Sequence, residues 1–410
     1  MEEKSKFDFE AFKKDAIEKL KQGKKLNGSD GVFQPLLKHF LEAAMEAEID
    51  VHLNRDERQS GNRKNGKSTK LVKSASGEFE LQTPRDRQGT FEPQMVTKRQ
   101  VIITDELESK VIRLYSMGLS YERIVNDIEE LYGFTLSPAT LTNITDKVIP
   151  ELNAWRNREL ESQYAFVWFD AMFYKVREDG KVTTKALYNV IGYTIDGVKD
   201  LLGMYISETE GAHFWMNVLD DLKRRGVDDI LIASVDNLKG FTDVIKNVFP
   251  KTEIQSCVIH QIRNTMRFIA SKDMKAFLSD LRTVYRAIDI TQAEANLKSL
   301  EDKWGNKYMS AIDSWKRNWN HLSTFFQYPE EIRTIMYTTN PIESFHRQVR
   351  SVTKTKAAFT NDIAFLKLVY LASLRACEKW SIARNNWGAV LNQLSIYFKD
   401  RVKPTKNKWI

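Results

Sequence analysis

Apolar residues recur at three- and four-residue spacing through the first 54 positions, with Phe33, Leu36, Leu37, Phe40, Leu41 and Ala44 on one face. That spacing predicts helix packed through this face. The period then disappears. From Asn54 to Lys73, seven Lys or Arg stand against two acids, with Gly, Ser and Asn between them. Such a stretch is too polar to pack, and it reads either as a solvated loop or as an arm that contacts phosphates. A short strand-like piece, GEFELQTP, leads into PRDRQGTFEPQ at 84–94. Helical spacing returns beyond it. Ser120 is placed to cap a helix carrying Ile124, Ile128 and Leu131, and Gly133 to break it. Ser137 followed by Pro138 opens another helix over about 138–149. Two helices across a tight turn fit a helix-turn-helix with its second helix free for a DNA major groove, and they also fit a plain helical hairpin.

At Tyr164 the pattern becomes that of strands. Two hairpin signals, Asp179-Gly180 and Asp196-Gly197, separate runs at about 164–177, 182–194 and 199–206. A helix over 211–225, a strand over 229–235, a helix over 238–248 and a strand over 253–257 follow. Three hairpin-linked strands and then helix, strand, helix, strand is the order of a ribonuclease-H-like fold. In that order the first and fourth strands are neighbours. The separation between Asp236 and Glu343 far exceeds an ordinary strand-to-helix connection. The intervening residues 260–328 are rich in Lys, Glu, Ala, Leu and Met and are punctuated by Trp304, Trp315 and Trp319. They predict an all-helical insertion, after which TTNPIESFHRQVR and a long apolar helix from Asp362 to about Arg384 resume the core.

Three acids stand out in this frame. Asp170 ends the apolar run YAFVWFD, Asp236 ends ILIASVD, and Glu343 sits in NPIES at a helix start. Each has an ordinary explanation, as a turn-former, a helix N-cap and a first-turn acid respectively. Together they suggest a site for two divalent cations, because hard cations take carboxylate ligands and phosphoryl transfer uses a metal pair. In QSCVIHQIRN, Cys257, His260 and Arg263 fall near a strand end and a helix start. No second Cys pair accompanies them, which argues against zinc. His260 then either contacts phosphate or orients a metal ligand. Beyond Glu343, Arg347, Arg350, Lys354 and Lys356 run with no acid between them, either as a solvated face or as a phosphate clamp.

Composition narrows the class without choosing among these readings. The chain has 410 residues, 42% hydrophobic and 29% charged, with nine Trp, which is a folded globular composition with room for two or three domains. A formal charge of +7 and a pI near 9.0 favour a polyanionic partner but also suit many soluble enzymes. Two cysteines, Cys257 and Cys377, permit at most one disulfide. The charged N-terminus and the lack of long apolar runs predict no membrane span and a cytoplasmic protein.

The motifs NRKNGK at 62–67, PRDRQGTFEP at 84–93, DAMFYKVRE from Asp170, SVDNLKGF at 234–241, QSCVIH at 255–260 and TTNPIESFHRQVRSVTK at 338–354 occur together and in order. In this the chain resembles the mutator-type transposases of bacterial insertion sequences, a DDE recombinase family, over roughly residues 30–385. The resemblance implies an α/β protein with a ribonuclease-H-like catalytic core and an all-α insertion, preceded by a mainly helical DNA-binding region. The implied divisions are 1–54 helical, 55–100 basic arm and short strands, 101–155 helix-turn-helix-like, 160–257 and 338–395 catalytic, 258–337 insertion and 396–410 basic tail. It also implies a catalytic and metal-binding triad of Asp170, Asp236 and Glu343. Cys257 and His260 carry the Cys-x-x-His signature, and Arg347 or Arg350 the basic position after the Glu. The implied cofactor is a pair of Mg²⁺ ions, with Mn²⁺ able to substitute. The partners are DNA, as terminal inverted repeats and as target, and further copies of the chain in a dimer or larger assembly. Arg63, Lys64, Lys67, Arg85, Arg87, Arg263, Lys354 and Lys356 are the expected DNA contacts. The implied activity is DNA cleavage and strand transfer, through a joined-end circular intermediate, in a bacterial cytoplasm at the nucleoid. An inactive relative that only binds and represses, and a structure-specific nuclease on the same fold, remain open alternatives. The chain departs from the family pattern at Asn237, Pro341 and His346, where Gly, Ala and Asn are commoner.

Overall fold

A computed structural model of the chain describes residues 7–28, 31–54, 61–74, 76–98, 100–102, 105–236, 240–336 and 340–402. The start of the basic arm, Asn237 and the basic tail beyond 402 lie outside the described residues. The chain divides into two compact units, 1–149 and 150–410.

In the first unit, helices α1 (Phe9–Lys21) and α2 (Gln34–Asn54) precede an antiparallel hairpin of β1 (Lys64–Ser74) and β2 (Gly77–Asp86). The expected helix face is only partly the buried one. Phe33 and Phe40 are 43% and 63% exposed, and the packed stripe runs further along through Leu37, Leu41 and Met45 against Val72, Phe79, Leu81 and Val96. Ile49 and Leu53 extend it onto Phe91. The basic arm is also corrected over its second half. Residues 64–74 form a strand, because β2 supplies a ladder partner and Val72 reaches the core. Lys64 pairs with Glu46 at 2.8 Å and Asp50 at 2.7 Å, and Lys67 with Glu46 at 2.9 Å.

The NRKNGK and PRDRQGTFEP motifs meet around one carboxylate. Asp86 accepts from Asn62 Nδ2 and Thr90 Oγ1, both at 2.7 Å, and from the backbone N–H groups of Thr90 and Phe91 at 3.0 and 3.2 Å. Helices α3 (Asp105–Ser116), α4 (Tyr121–Tyr132) and α5 (Pro138–Asp146) complete the unit. Ser120 and Ser137 cap α4 and α5 as expected, accepting from the N–H groups of Arg123 and Thr140, and Gly133 ends α4 at φ 74°. The buried stripe of α4 is Ile124, Ile128 and Tyr132. Leu131, expected there, is exposed, since an unbroken four-residue step from Ile128 reaches 132.

The second unit is built on a five-stranded mixed sheet of order β5-β4-β3-β6-β7. β3 (Gln163–Glu178), β4 (Lys181–Thr194) and β5 (Lys199–Ser207) are antiparallel, and β6 (Asp229–Val235) and β7 (Glu253–Ser256) run parallel to β3. Both hairpin turns form where expected, with φ 48° at Asp179 and 75° at Gly180 in the first. The first and fourth strands are neighbours, as the element order required. β3 is buried on both faces, so its start reads as a continuous apolar run. On one face lie α7 (Ala212–Arg224) and α8 (Phe241–Val248), through Trp215, Leu219, Phe241 and Ile245. On the other, Phe166 and Trp168 pack with Tyr193 and with Trp387 of α15 (Trp387–Phe398).

α6 (Ile149–Arg156) precedes the sheet in the chain. The segment after β7 is helical as expected: α9 (Val258–Met266), α10 (Ser271–Tyr285), α11 (Ile290–Leu322) and α12 (Glu330–Met336). Then come α13 (Asn340–Thr353) and α14 (Asp362–Cys377). α14 stops short of the expected Arg384. Among the described residues no helix is long and apolar enough to cross a membrane.

The Asp86 cluster gives a first prediction. Burial works against the Asp86 carboxylate, but its hydrogen bonds from Asn62, Thr90 and Phe91 outweigh that and hold it well below the usual range. The group is more acidic folded than unfolded, so its contribution is complete above the unfolded value near 3.9 and is lost as pH falls below it toward the folded value. Asp86→Ala should cost about 2–4 kcal/mol at neutral pH and flatten the acid limb of stability for the first unit. Urea melts between pH 7 and pH 3 would check this, and an unchanged acid limb would contradict it.

Candidate active site

The site is set by strand register. β3 and β6 pair in unbroken steps from Gln163 with Asp229 to Trp168 with Ser234. Two more steps put Asp170 level with Asp236. β6 and β7 pair up to Val235 with Ser256, so one further step brings Cys257 level with Asp236. Three successive strands thus deliver Asp170, Asp236 and Cys257 along one line, at the carboxyl ends of β6 and β7. Neighbouring strands are about 4.8 Å apart, which fixes two carboxylates close together without any loop having to hold them.

Cys257 is the N-cap of α9. Its thiol accepts from the His260 N–H at 3.4 Å, and its own N–H donates to the Val235 carbonyl at 2.8 Å. Burial pushes the thiol up to about 12, so it stays protonated and acts as a cap. Capping puts His260 in the first turn of α9, where its ring lies between the two acids: Nε2 is 3.8 Å from Asp170 Oδ1 and Nδ1 is 3.6 Å from Asp236 Oδ1. The Cys-x-x-His spacing therefore has a structural cause. Helix α9 is itself anchored to α11, because Gln261 donates to Ser314 and accepts from Asn318, and Trp315 donates to Thr265.

On its other side Asp170 meets His346, whose Nδ1 is 3.5 Å from Asp170 Oδ2. His346 is buried in α13, and its Nε2 is 2.9 Å from Asn189 Nδ2. Asn189 is buried in β4 directly opposite Asp170. Burial, with the Arg350 and His260 charges, pulls His346 down to about 3, so it is neutral near pH 7. With the Asn189 amide donating to Nε2, the ring proton sits on Nδ1, facing Asp170. Asp170 itself is raised by burial and by the Asp236 and Glu343 carboxylates, against the opposing pull of His260 and the Ala171 N–H.

Glu343 is held differently. It lies in the first turn of α13, and Arg263 of α9 donates to its Oε1 at 2.6 Å. Glu343, Arg347 and Arg350 follow a helical repeat down one side of α13, with Lys354 just past its end, and the three cations are exposed. The carboxylates fit a divalent cation in kind, since all are hard oxygen donors, and burial with the neighbouring Asp236 and Glu343 charges raises Asp170. Among the described residues, however, no group of three His, Cys, Asp or Glu side chains is gathered closely enough to hold a metal ion. Asp170 and Asp236 are brought together around His260, and Glu343 is drawn off by Arg263.

The expected DNA contacts divide accordingly. Arg63, Arg85, Arg87 and Lys354 are exposed. Lys64 and Lys67 are engaged with acids of α2, and Arg263 with Glu343. Lys356 is half-buried, and burial lowers its pKa. The reading of the sequence missed Asn189. A single amide inside the apolar run ALYNVIGY was the signal that could have found it.

The sequence model described as "Transposase, Mutator family" matches residues 9–383. The chain is 40% identical over 400 residues to a probable transposase for insertion sequence element ISRM3-like of Sinorhizobium fredii, covering 95% of this chain and 99% of that protein. It is likewise 40% identical over 400 residues to the transposase for insertion sequence element ISRM3 of Rhizobium meliloti, with the same coverage. A probable insertion sequence transposase of Corynebacterium diphtheriae is 34% identical over 338 residues, 78% of this chain and 98% of that one. Among solved structures, the Drosophila P element transposase strand transfer complex matches at a TM-score of 0.28 and 12% identity, covering 72% of this chain and 85% of that one, a likeness too low to assign the fold.

Asn189→Leu should cost about 1–3 kcal/mol of folding stability, because it leaves the buried His346 Nε2 without its donor. A urea melt of the variant beside wild type reads this directly. Equal midpoints and equal slopes would contradict the pairing.

Proposed function

Because this chain belongs to the Mutator family of transposases, we propose that it mobilises an insertion sequence by cutting DNA at the element's terminal inverted repeats and joining the freed ends to new strands. The observation that carries this reading is the register of β3 with β6, which levels Asp170 with Asp236 and encloses His260 between them. The sheet order and the helical segment between β7 and α13 support a ribonuclease-H-like core, 160–257 with 338–395, interrupted by an all-α insertion at 258–337.

Asp170, Asp236 and Glu343 are the residues that would hold Mg²⁺, as two ions, with Mn²⁺ able to substitute. When bound, such ions would activate the attacking oxygen and stabilise the leaving one. The chain's own residues do the rest. His346, fixed by Asn189, turns Nδ1 toward one Asp170 oxygen at 3.5 Å and leaves the other toward His260. His260 separates the two aspartates and offsets their repulsion while no metal is bound. Glu343, now paired with Arg263, would be the third acid to hold the metal, and Arg263 beside it would be available to a phosphate oxygen. Arg347 and Arg350 on the same side of α13, with Lys354 just past its end, bind the DNA backbone. Hydrolysis at the element's end breaks the phosphodiester and leaves a 3′-hydroxyl. That hydroxyl then attacks a second phosphodiester in line, expelling its 3′-oxygen, so each step exchanges one P–O bond for another. Joining the two ends of the element gives a circular intermediate before insertion.

DNA recognition falls to residues 1–155. The exposed Arg63, Arg85 and Arg87 suit backbone contacts, and α5, capped by Ser137 and opened by Pro138, is the helix for the major groove. Pairing two ends requires at least a dimer on DNA, acting at the nucleoid.

The test is strand cleavage and joining on a duplex bearing the element's own terminal repeat, with and without Mg²⁺, for wild type and Asp236→Ala. Wild type should give joined product only with Mg²⁺, and Asp236→Ala should give none while still binding the repeat. Cleavage without joining would replace the reading with a nuclease. End binding with no cut product from either protein would replace it with a DNA-binding repressor.

A further inference from the structure

The cavities of the second unit differ in the charge of their walls. The one near the starts of β3 and β6, about 440 Å³, sets Asp196, Asp228 and Asp229 beside Lys223, Lys251 and Arg401. Another, beside the edge strand β5, sets Asp221 among Arg156, Arg224 and Arg225. A third, about 370 Å³, has cations and no acid: its walls include Tyr193, Lys199, Pro341, Ser344 and Arg384.

Lys199 opens β5 opposite Tyr193. Its Nζ donates to the Pro341 carbonyl at 2.7 Å and stands 3.9 Å from the centre of the Trp380 ring. No carboxylate meets it among the described residues. Burial pulls its pKa down to about 8, with only the Cys377 sulfur acting the other way. Lys185 shows the contrast, since its buried ammonium is met by Glu178, Glu208 and Asp362. Arg384 likewise makes no ion pair among the described residues, and its backbone N–H is tied to the Gly197 carbonyl at the β4–β5 turn. Pro341 and Ser344 belong to the first turn or so of the fourteen-residue α13, whose N-terminal end adds partial positive charge. A largely buried ammonium that faces only a carbonyl and a ring is incompletely solvated. An anion in the cavity would complete its shell.

We propose that this cavity binds a phosphate group, with Lys199 and Arg384 as its cationic walls and the hydroxyls of Tyr193 and Ser344 as donors. Tyr193 and Asn189 lie on the same face of β4, four residues apart or about 13 Å, and Asn189 is opposite Asp170. At about 3.4 Å rise per nucleotide, a DNA strand crossing Asp170 reaches the cavity with a phosphate a few nucleotides away. This source rests on the transposase reading. A free phosphate-bearing solute offers the same chemistry and is separable by experiment.

The test compares wild type, Arg384→Gln and Arg384→Lys by two probes. Fluorescence anisotropy follows a labelled terminal-repeat duplex across a salt series, and thermal melting follows millimolar inorganic phosphate. A melt without phosphate shows first that each variant folds, and Arg384→Lys preserves the charge should the glutamine not fold. For a DNA phosphate, Arg384→Gln should weaken binding several-fold and reduce the slope of log K against log salt by about 0.9, with Arg384→Lys restoring the slope. An unchanged slope, with a phosphate-induced rise in melting temperature that only Arg384→Gln loses, overturns DNA as the source and assigns the cavity to a free phosphate. No change by either probe overturns the site. Failure of wild type to bind the duplex at all would instead count against the transposase reading of the DNA-binding region, and the phosphate melt would still decide the cavity.

Discussion

Parallel pairing of β3 with β6 is the constraint on which the second unit depends. Because the pairing runs without a bulge from Gln163 to Trp168, the position of Asp236 follows from that of Asp170, and a one-residue slip would turn every side chain of one strand to the wrong face. The slip is prevented by burial on both sides of β3, with Phe169 against Trp215 and Phe241 on one face and Trp168 against Tyr193 on the other. The large aromatic core therefore positions the carboxylates. β6 ends at Val235 while β3 continues to Glu178, so the two acids stand where β3 loses its parallel neighbour.

Around the acids, neutral polar groups are buried and the charged groups are exposed. Asn189, His346 and Cys257 are buried, and burial keeps both the imidazole and the thiol uncharged near pH 7. Each acts through a hydrogen bond to one neighbour, which avoids the desolvation cost of a buried ion. The charged groups, Arg263, Arg347, Arg350 and Lys354, lie toward solvent, where a polyanion can reach them. His260 stands between these classes, partly buried and within 4 Å of both aspartates.

Much of this was legible in the sequence. The strand order, both hairpin turns, the Ser120, Ser137 and Gly133 helix signals and the juxtaposition of Asp170 with Asp236 follow from local period and turn chemistry, and the structure has them. What failed depended on partners far along the chain. The 64–74 segment reads as loop until β2 supplies its ladder and Glu46 and Asp50 supply counter-charges for its lysines. Phe40 reads as core until the hairpin is seen to pack further along α2. Arg263 reads as a free cation, yet Glu343, eighty residues on, claims it. Asn189 stands out as a lone amide in an apolar run, but its role lies in His346, on a helix that the sequence places in another segment.

The central claim is that Asp170 and Asp236 act as one metal-binding pair joined by Glu343. Its most direct test is Mn²⁺ binding to the protein without DNA, followed by the loss of the free-ion paramagnetic resonance signal, in wild type and in Asp170→Asn, Asp236→Asn and Glu343→Gln. The account predicts that wild type takes up Mn²⁺, that either Asp variant loses most of that uptake, and that Glu343→Gln weakens it. Uptake by all three variants at the wild-type affinity would contradict it.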